Sequence, residues 1–237
     1  MRYPVAVAAA LAQLRYSELM HTDDRAIKTF HARRGRMTKT RIDLLNQVVP
    51  QFELPTGNEP LDLRVHLRDE NVIVDFGCGM GDATIALLDQ GKSVLALDVH
   101  TPGICRVAQH AYENGLTKLA VVHGDGVPVL QTGLLAASIE TFMVLFPDPW
   151  PKVKHNKRRL VQPAFLDVVR GLLTQTGQMV IATDDASYAE FISEVIQGYT
   201  PMIRVANTFD LPDTGFHRRG LKLGNTVEIF TLKVPKT

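Results

Sequence analysis

A chain of 237 residues with a formal net charge of +1 is long enough to bury a sizeable core. That charge excludes a nucleic-acid reading built on bulk electrostatics and leaves only local basic clusters to carry one. Two cysteines, Cys78 and Cys105, are too few for a disulfide framework or an unaided zinc site, so reduced thiols, no metal and a cytoplasmic setting are expected, and no apolar run approaches the length that spans a bilayer.

Residues 5–11 follow Met1-Arg2 without a clear polar cleavage region and are read as a short alanine-rich helix rather than a secretory leader. A basic arm follows, with Arg25, Lys28, Arg33, Arg34, Arg36, Lys39 and Arg41 interrupted by Phe30 and Gly35. It has little apolar periodicity, so it is either a solvated segment or one that folds against a polyanion. Leu44, Val48 and Val49 predict a short helix that Pro50 ends, and 54–60 is a linker by its turn residues. The division expected is therefore 1–70 as helix, arm and linker, and 71–237 as the main domain.

The main domain opens on an apolar strand at 72–76, the turn Gly77-Cys78-Gly79-Met80-Gly81 and a helical run at 83–88. Glycines let a backbone turn tightly and approach a ligand, and the helix start offers donors to its polar groups. A dinucleotide fingerprint would need glycine or alanine at position 82, where this chain has Asp82, so a nicotinamide oxidoreductase is set aside. The next strand, 93–97, ends in Asp98, which either accepts from ribose hydroxyls or caps the helix beginning after Pro102. A helix at 105–113 and a strand at 119–122 lead to His123-Gly124-Asp125-Gly126. Asp125 is placed to accept from an adenine amino group or to order its own turn, and His123 reads as a packed or surface histidine.

Strand four, 139–146, runs into Pro147-Asp148-Pro149-Trp150-Pro151-Lys152 and the cations Lys154, Lys157, Arg158 and Arg159. Each proline ring removes a backbone donor and holds the residue before it extended, so Asp148 is expected on a stiff loop with its carboxylate aimed. A fixed acceptor, the single tryptophan Trp150 and a cationic run suit a nucleobase with its phosphates. The alternative is a turn whose aromatic packs the core and whose cations form a solvated helix face. A helix at 159–173, a strand at 177–182 ending in Thr183-Asp184-Asp185, and a helix at 188–196 complete the alternation, which argues for a parallel sheet covered on both faces. Strands at 203–208 and 226–232, separated by the polar loop 213–220, predict a hairpin-like end to the sheet.

The glycine turn after Asp75 together with Asp98 resembles the S-adenosylmethionine site of Rossmann-like class I methyltransferases. Phe146-Pro147-Asp148-Pro149-Trp150 with His155-Asn156-Lys157-Arg158-Arg159 is similar to the tRNA (guanine-N7)-methyltransferase family. Further likeness lies in Arg34-Gly35-Arg36-Met37-Thr38, Val99-His100-Thr101-Pro102-Gly103 and Ala182-Thr183-Asp184.

The resemblance implies a mostly parallel seven-stranded sheet with helices on both faces and an antiparallel C-terminal hairpin. It implies S-adenosyl-L-methionine held by Asp75, Gly77, Gly79, Gly81, Asp98 and Asp125, an active-site role for Asp148, and tRNA contacts from Lys152, Asp184, Thr214 and His217. It further implies an enzyme whose partner is tRNA, working as a monomer or homodimer without metal or membrane. Two departures stand out: aspartate at 75 and 98 where the family commonly has glutamate, and Thr214-Gly215-Phe216-His217 where it carries Thr-Lys-Phe-Glu. Two other readings accompany this one. Proline loops also serve methyltransferases of planar amino groups, which use an asparagine amide where this chain has an acid, and an RNA-binding paralogue would hold the cofactor without turnover.

Overall fold

Residues 72–76 and 93–98 are apolar at almost every position, the pattern of strands covered on both faces. The computed structural model pairs them in parallel, Val72 with Ser93 through Phe76 with Leu97. It describes residues 29–30, 38–55, 57, 59–222 and 224–235, leaving aside the side chains of Val153, Phe216, His217, Arg219 and Leu221. The helix expected at 5–11 and most of the basic arm lie outside the described residues.

Seven strands form one sheet: β1 (Val72–Phe76), β2 (Ser93–Asp98), β3 (Leu119–His123), β4 (Ile139–Leu145), β5 (Leu173–Thr183), β6 (Ile203–Val205) and β7 (Glu228–Lys233). Their order is β3-β2-β1-β4-β5-β7-β6. The first five run parallel, and β7 lies antiparallel between β5 and β6. This is the mostly parallel sheet with an antiparallel end that the sequence predicts.

Helices α1 (Lys39–Gln47), α2 (Leu63–Leu67), α3 (Asp82–Asp89), α4 (Thr101–Glu113), α5 (Pro163–Leu172), α6 (Ala186–Gly198) and α7 (Gly215–Lys222) accompany it. Alternate residues of each strand enter opposite layers, as a period of two requires. Val72, Val74, Leu95 and Phe142 pack with Phe165, Leu166 and Ile192 on one face, and Ile73, Val94, Ala96 and Met143 with Leu87, Ile104 and Val107 on the other. The chain reverses direction of winding between β1 and β4, and ligands bind outside the carboxyl ends of strands at such a point.

Several elements differ from the expected ones. The helix expected from 159 starts at Pro163, because 153–158 forms a 3-10 segment and Gln162, which precedes a proline, is extended at φ −126° and ψ 158°. Helix α4 begins at Thr101 rather than after Pro102, the proline occupying its first turn, where no N–H is missed. The stretch 54–60 read as a linker is tied down at its start and just past its end: Leu54 N–H donates to the Val121 carbonyl at 2.9 Å, and beyond it Leu61 N–H donates to that of Gly133 at 2.9 Å while Leu63 and Leu67 of α2 are buried. Finally, the polar loop between β6 and β7 contains α7, and β6 itself stops at Val205.

Candidate functional site

An acid follows, or nearly ends, each of the five parallel strands: Asp75, Asp98, Asp125, Asp148 and Asp184. The first four line one cavity of about 420 Å³, together with Gly77, Gly79, Leu97, Val99, Phe146, Thr214 and Gly215. Gly77, Gly79 and Gly81 all have positive φ, at 80°, 57° and 79°. The N–H groups of Gly77 and Cys78 donate to the Leu97 carbonyl at 2.8 and 3.2 Å, fastening the turn to the end of β2. A Cβ at Gly103 would fall on the Gly79 carbonyl, so this glycine lets α4 pack against the turn. Gly81 caps α3 and is not among the residues that line the cavity.

Asp98 is oriented by two backbone donors, Gly79 N–H to Oδ2 at 2.6 Å and His100 N–H to Oδ1 at 2.7 Å. Burial raises its pKa, and those donors oppose the rise. Asp75 is only 1 % exposed and accepts from Thr84 Oγ1 at 2.6 Å. Burial, with a smaller contribution from the charge of Asp98, pushes its pKa to about 6, while the Thr84 hydroxyl pulls the other way. Asp125 accepts from Val127 N–H at 3.0 Å and so orders its own turn, which leaves its second oxygen and remaining lone pairs at the cavity wall. Of its neighbours, His123 is a packed histidine bonded through Nε2 to Thr101 Oγ1 at 2.9 Å.

The proline loop is bracketed by two residues in the left-handed region, Phe146 at φ 53° and Trp150 at φ 48°. Such non-glycine conformations cost about 1–3 kcal/mol each and persist where the surroundings over-determine them. Here Phe146 N–H donates to the Ala182 carbonyl at 2.8 Å. Trp150 is 4 % exposed, which overturns its expected role as a plate for a base. Its Nε1–H donates to the Thr29 carbonyl at 3.1 Å, Arg158 covers its ring at 4.8 Å, and His155 meets it edge-on. Arg159 is likewise removed from the phosphate-gripping run. It is 5 % exposed, donates to the Pro149 carbonyl at 2.9 Å and to Ser187, and lies over Tyr188 and Phe191. Lys152, Lys154 and Lys157 stay exposed, and Lys152 is not part of the cavity wall.

Thr214, also part of the cavity wall, is buried and precedes α7. Gly215 N–H donates to Asp82 Oδ2 at 2.8 Å, and Arg106 Nη1 donates to Asp82 Oδ1 at 2.6 Å. Partial burial pushes the Asp82 pKa up, but the Gly215 amide, Arg106 and Arg218 outweigh it and hold the carboxyl below its ordinary range. Asp184 accepts from Asn225 Nδ2 at 3.2 Å and sits close to Gly220, outside the cavity wall. The side chain of His217 lies outside the described residues. Asp82 and Arg106 are residues that sequence reasoning did not assign to the site. Asp82 registered there only as a break in a glycine pattern.

This donor set fits an adenosine-bearing sulfonium. Asp98 presents a pre-aimed carboxylate, Leu97 and Val99 give apolar wall beside Asp125, and the glycine turn leaves close approach to backbone at the start of α3. Among the described residues no group of three or more His, Cys, Asp or Glu is placed to hold a metal ion, and no helix is long and apolar enough to cross a membrane.

Residues 69–227 match the family described as "Putative methyltransferase". A tRNA (guanine-N(7)-)-methyltransferase of Nitrosospira multiformis is 35% identical over 215 residues, 87% of this chain and 94% of that one. One of Aeromonas hydrophila is 35% identical over 213 residues, 86% and 90% of the two chains. Among solved structures, the 16S rRNA methyltransferase KamB superposes with a TM-score of 0.51 at 16% identity, covering 73% of this chain and 91% of that one, a likeness of fold.

Proposed function

This chain belongs to the tRNA (guanine-N7)-methyltransferase family, and from that premise we propose that it methylates N7 of a guanosine in tRNA, the variable-loop guanosine in particular, with S-adenosyl-L-methionine as donor. The reading is carried by one observation: the acid fixed between Pro147 and Pro149 faces the same cavity as the three acids around the glycine turn. S-adenosyl-L-methionine supplies a methyl group on a positively charged sulfur.

Asp98 holds the ribose hydroxyls of the donor, Asp125 its adenine amino group, and Asp75 with Gly77 and Gly79 the amino-acid end, while Gly81 shapes the turn. Guanine N7 presents a free lone pair on an acceptor-only edge, so no base is needed to deprotonate it. Catalysis is then chiefly alignment, which contributes on the order of 7 kcal/mol or more where the reacting atoms are held in line. Asp148 accepts from the guanine N1 and N2 donors and favours the positive charge that develops on the ring. Adenine, with an acceptor at N1 and no N2 amine, does not match such a carboxylate. Lys152, Asp184, Thr214 and His217 contact the tRNA around that base. Residues 71–237 form the transferase unit and 1–70 bring the basic arm to the RNA, in a cytoplasmic enzyme that acts alone or as a homodimer.

The test is incorporation of labelled methyl from S-adenosyl-L-methionine into bulk tRNA, followed by nucleoside analysis. Label in 7-methylguanosine is the expected result. Label in an adenine or in no nucleoside would overturn the assignment.

A further inference from the structure

We propose that Asp82 is a positioning residue that fastens the segment 213–222 to the glycine turn, so that the Thr214 side of the cavity is set by the same helix start that frames the other. The inference deepens the methyl-transfer reading and rests on it for its tRNA readout.

Asp82 is the first residue of α3, directly after Gly81. One of its oxygens, Oδ1, takes Arg106 Nη1 at 2.6 Å, and the same nitrogen donates to the Met80 carbonyl at 2.6 Å. The other, Oδ2, takes the Gly215 N–H at 2.8 Å, with Arg218 Nη2 at 3.9 Å. Arg218 is itself held by Asp213, Nη1 to Oδ2 at 2.8 Å, and its N–H closes the first turn of α7 on the Thr214 carbonyl at 3.0 Å. One carboxylate thus joins three stretches of chain: the turn that ends β1, the helix that follows β2, and the segment that precedes β7.

Asp82, Thr214 and Gly215 all line the cavity, so the joint is part of its wall. Glycine at 215 allows the approach, because a Cβ there would stand 3.1 Å from Asp82 Oδ2, tighter than an ordinary contact. The Asp82 side chain is 26% exposed, and solvent weakens its ion pairs with the arginines. What fixes the position is the backbone bond to Gly215. An amide in the first turn of a helix has no partner in that helix, so its protection from exchange reports directly on Asp82. A simpler account makes Asp82 only a favourable charge at the start of α3. That account predicts no effect at Gly215.

The experiment uses the full chain and two variants, Asp82→Ala, which removes both oxygens, and Asp82→Asn, which keeps an oxygen for Gly215 but loses the charge. Amide exchange at Gly215 is measured by NMR without ligand and compared with β4 and β5. Affinity for S-adenosylhomocysteine and the kcat and KM for tRNA are measured alongside. For Asp82→Ala we expect exchange at Gly215 at least tenfold faster with the strands unchanged, KM for tRNA at least fivefold higher, and the S-adenosylhomocysteine Kd within threefold. Asp82→Asn falls between it and the unaltered protein, which keeps the test open should the alanine variant fold poorly.

Unchanged Gly215 exchange in both variants overturns the proposal whatever the activity. Faster exchange with kcat and KM within twofold overturns it as well. Failure of the unaltered protein to form 7-methylguanosine would sink the methyl-transfer reading instead, and the exchange result would still decide whether the joint exists.

Discussion

Asp75 and Asp148 sit at the ends of neighbouring strands and respond to opposite demands. Asp75 is buried with its pKa raised to about 6, above its unfolded value, so the stability it contributes is fully present below about pH 4 and lost as the pH rises through 6. Asparagine keeps an oxygen for Thr84 without the charge. Asp75→Asn is therefore expected to stabilise the protein above pH 7 by on the order of 3 kcal/mol and to have little effect near pH 4, read by urea unfolding at the two pH values. It should also weaken S-adenosyl-L-methionine binding, read by calorimetry. For Asp148→Asn the expectation is a loss of about 1.5–3 kcal/mol in transition-state stabilisation, roughly 10- to 150-fold in kcat/KM. Full turnover with unaltered tRNA affinity would remove Asp148 from the chemistry. Both acids were legible as residues because each falls at the end of an apolar run, a position that a parallel sheet turns toward its crevice. Asp82 was not. Its partners lie 24 and 133 residues away, and nothing in local pattern connects them.

Among the elements, the loop from Phe146 to Trp150 shows where local reasoning holds and where it stops. Two prolines and two left-handed residues make it stiff, as the prolines alone predict. Which way the tryptophan faces is a tertiary matter, settled by Arg158 and by the carbonyl of Thr29. Trp150→Ala should lower the unfolding free energy by about 3–5 kcal/mol, as for other large buried aromatics. A surface plate for a base would lose RNA affinity and keep its stability. Circular-dichroism melts beside filter-binding separate the two. Helix α7 was missed for a related reason. With Gly215 and Gly220 inside it, its intrinsic preference is poor, and it is held from outside by the bond of the Gly215 amide to Asp82.

For the molecule as a whole, a net charge of +1 means that the proposed tRNA binding has to rest on local clusters, the basic arm of the sequence and the exposed lysines 152, 154 and 157. Single-stranded contacts give a log–log salt slope of about −0.7 per neutralised phosphate. Replacing Arg33, Arg34 and Arg36 together by serine should flatten the slope by about 2 if all three meet phosphates, measured by filter-binding between 50 and 200 mM salt. An unchanged slope would leave the arm as a bystander. The fold class was readable from the alternation of apolar runs and helical stretches, but the order of the last strands was not, since insertion of β7 between β5 and β6 depends on pairing rather than on local pattern. That insertion bears on how the molecule is made. While the nascent chain leaves the ribosome, the flank of β5 stays bare until residues 228–233 arrive to cover it, and in that interval it is open to pairing with a neighbouring polypeptide. Shortening the carboxyl end into β7 would make the interval permanent, and the truncated chain is expected to move to the insoluble fraction when lysates of the two forms are compared by centrifugation.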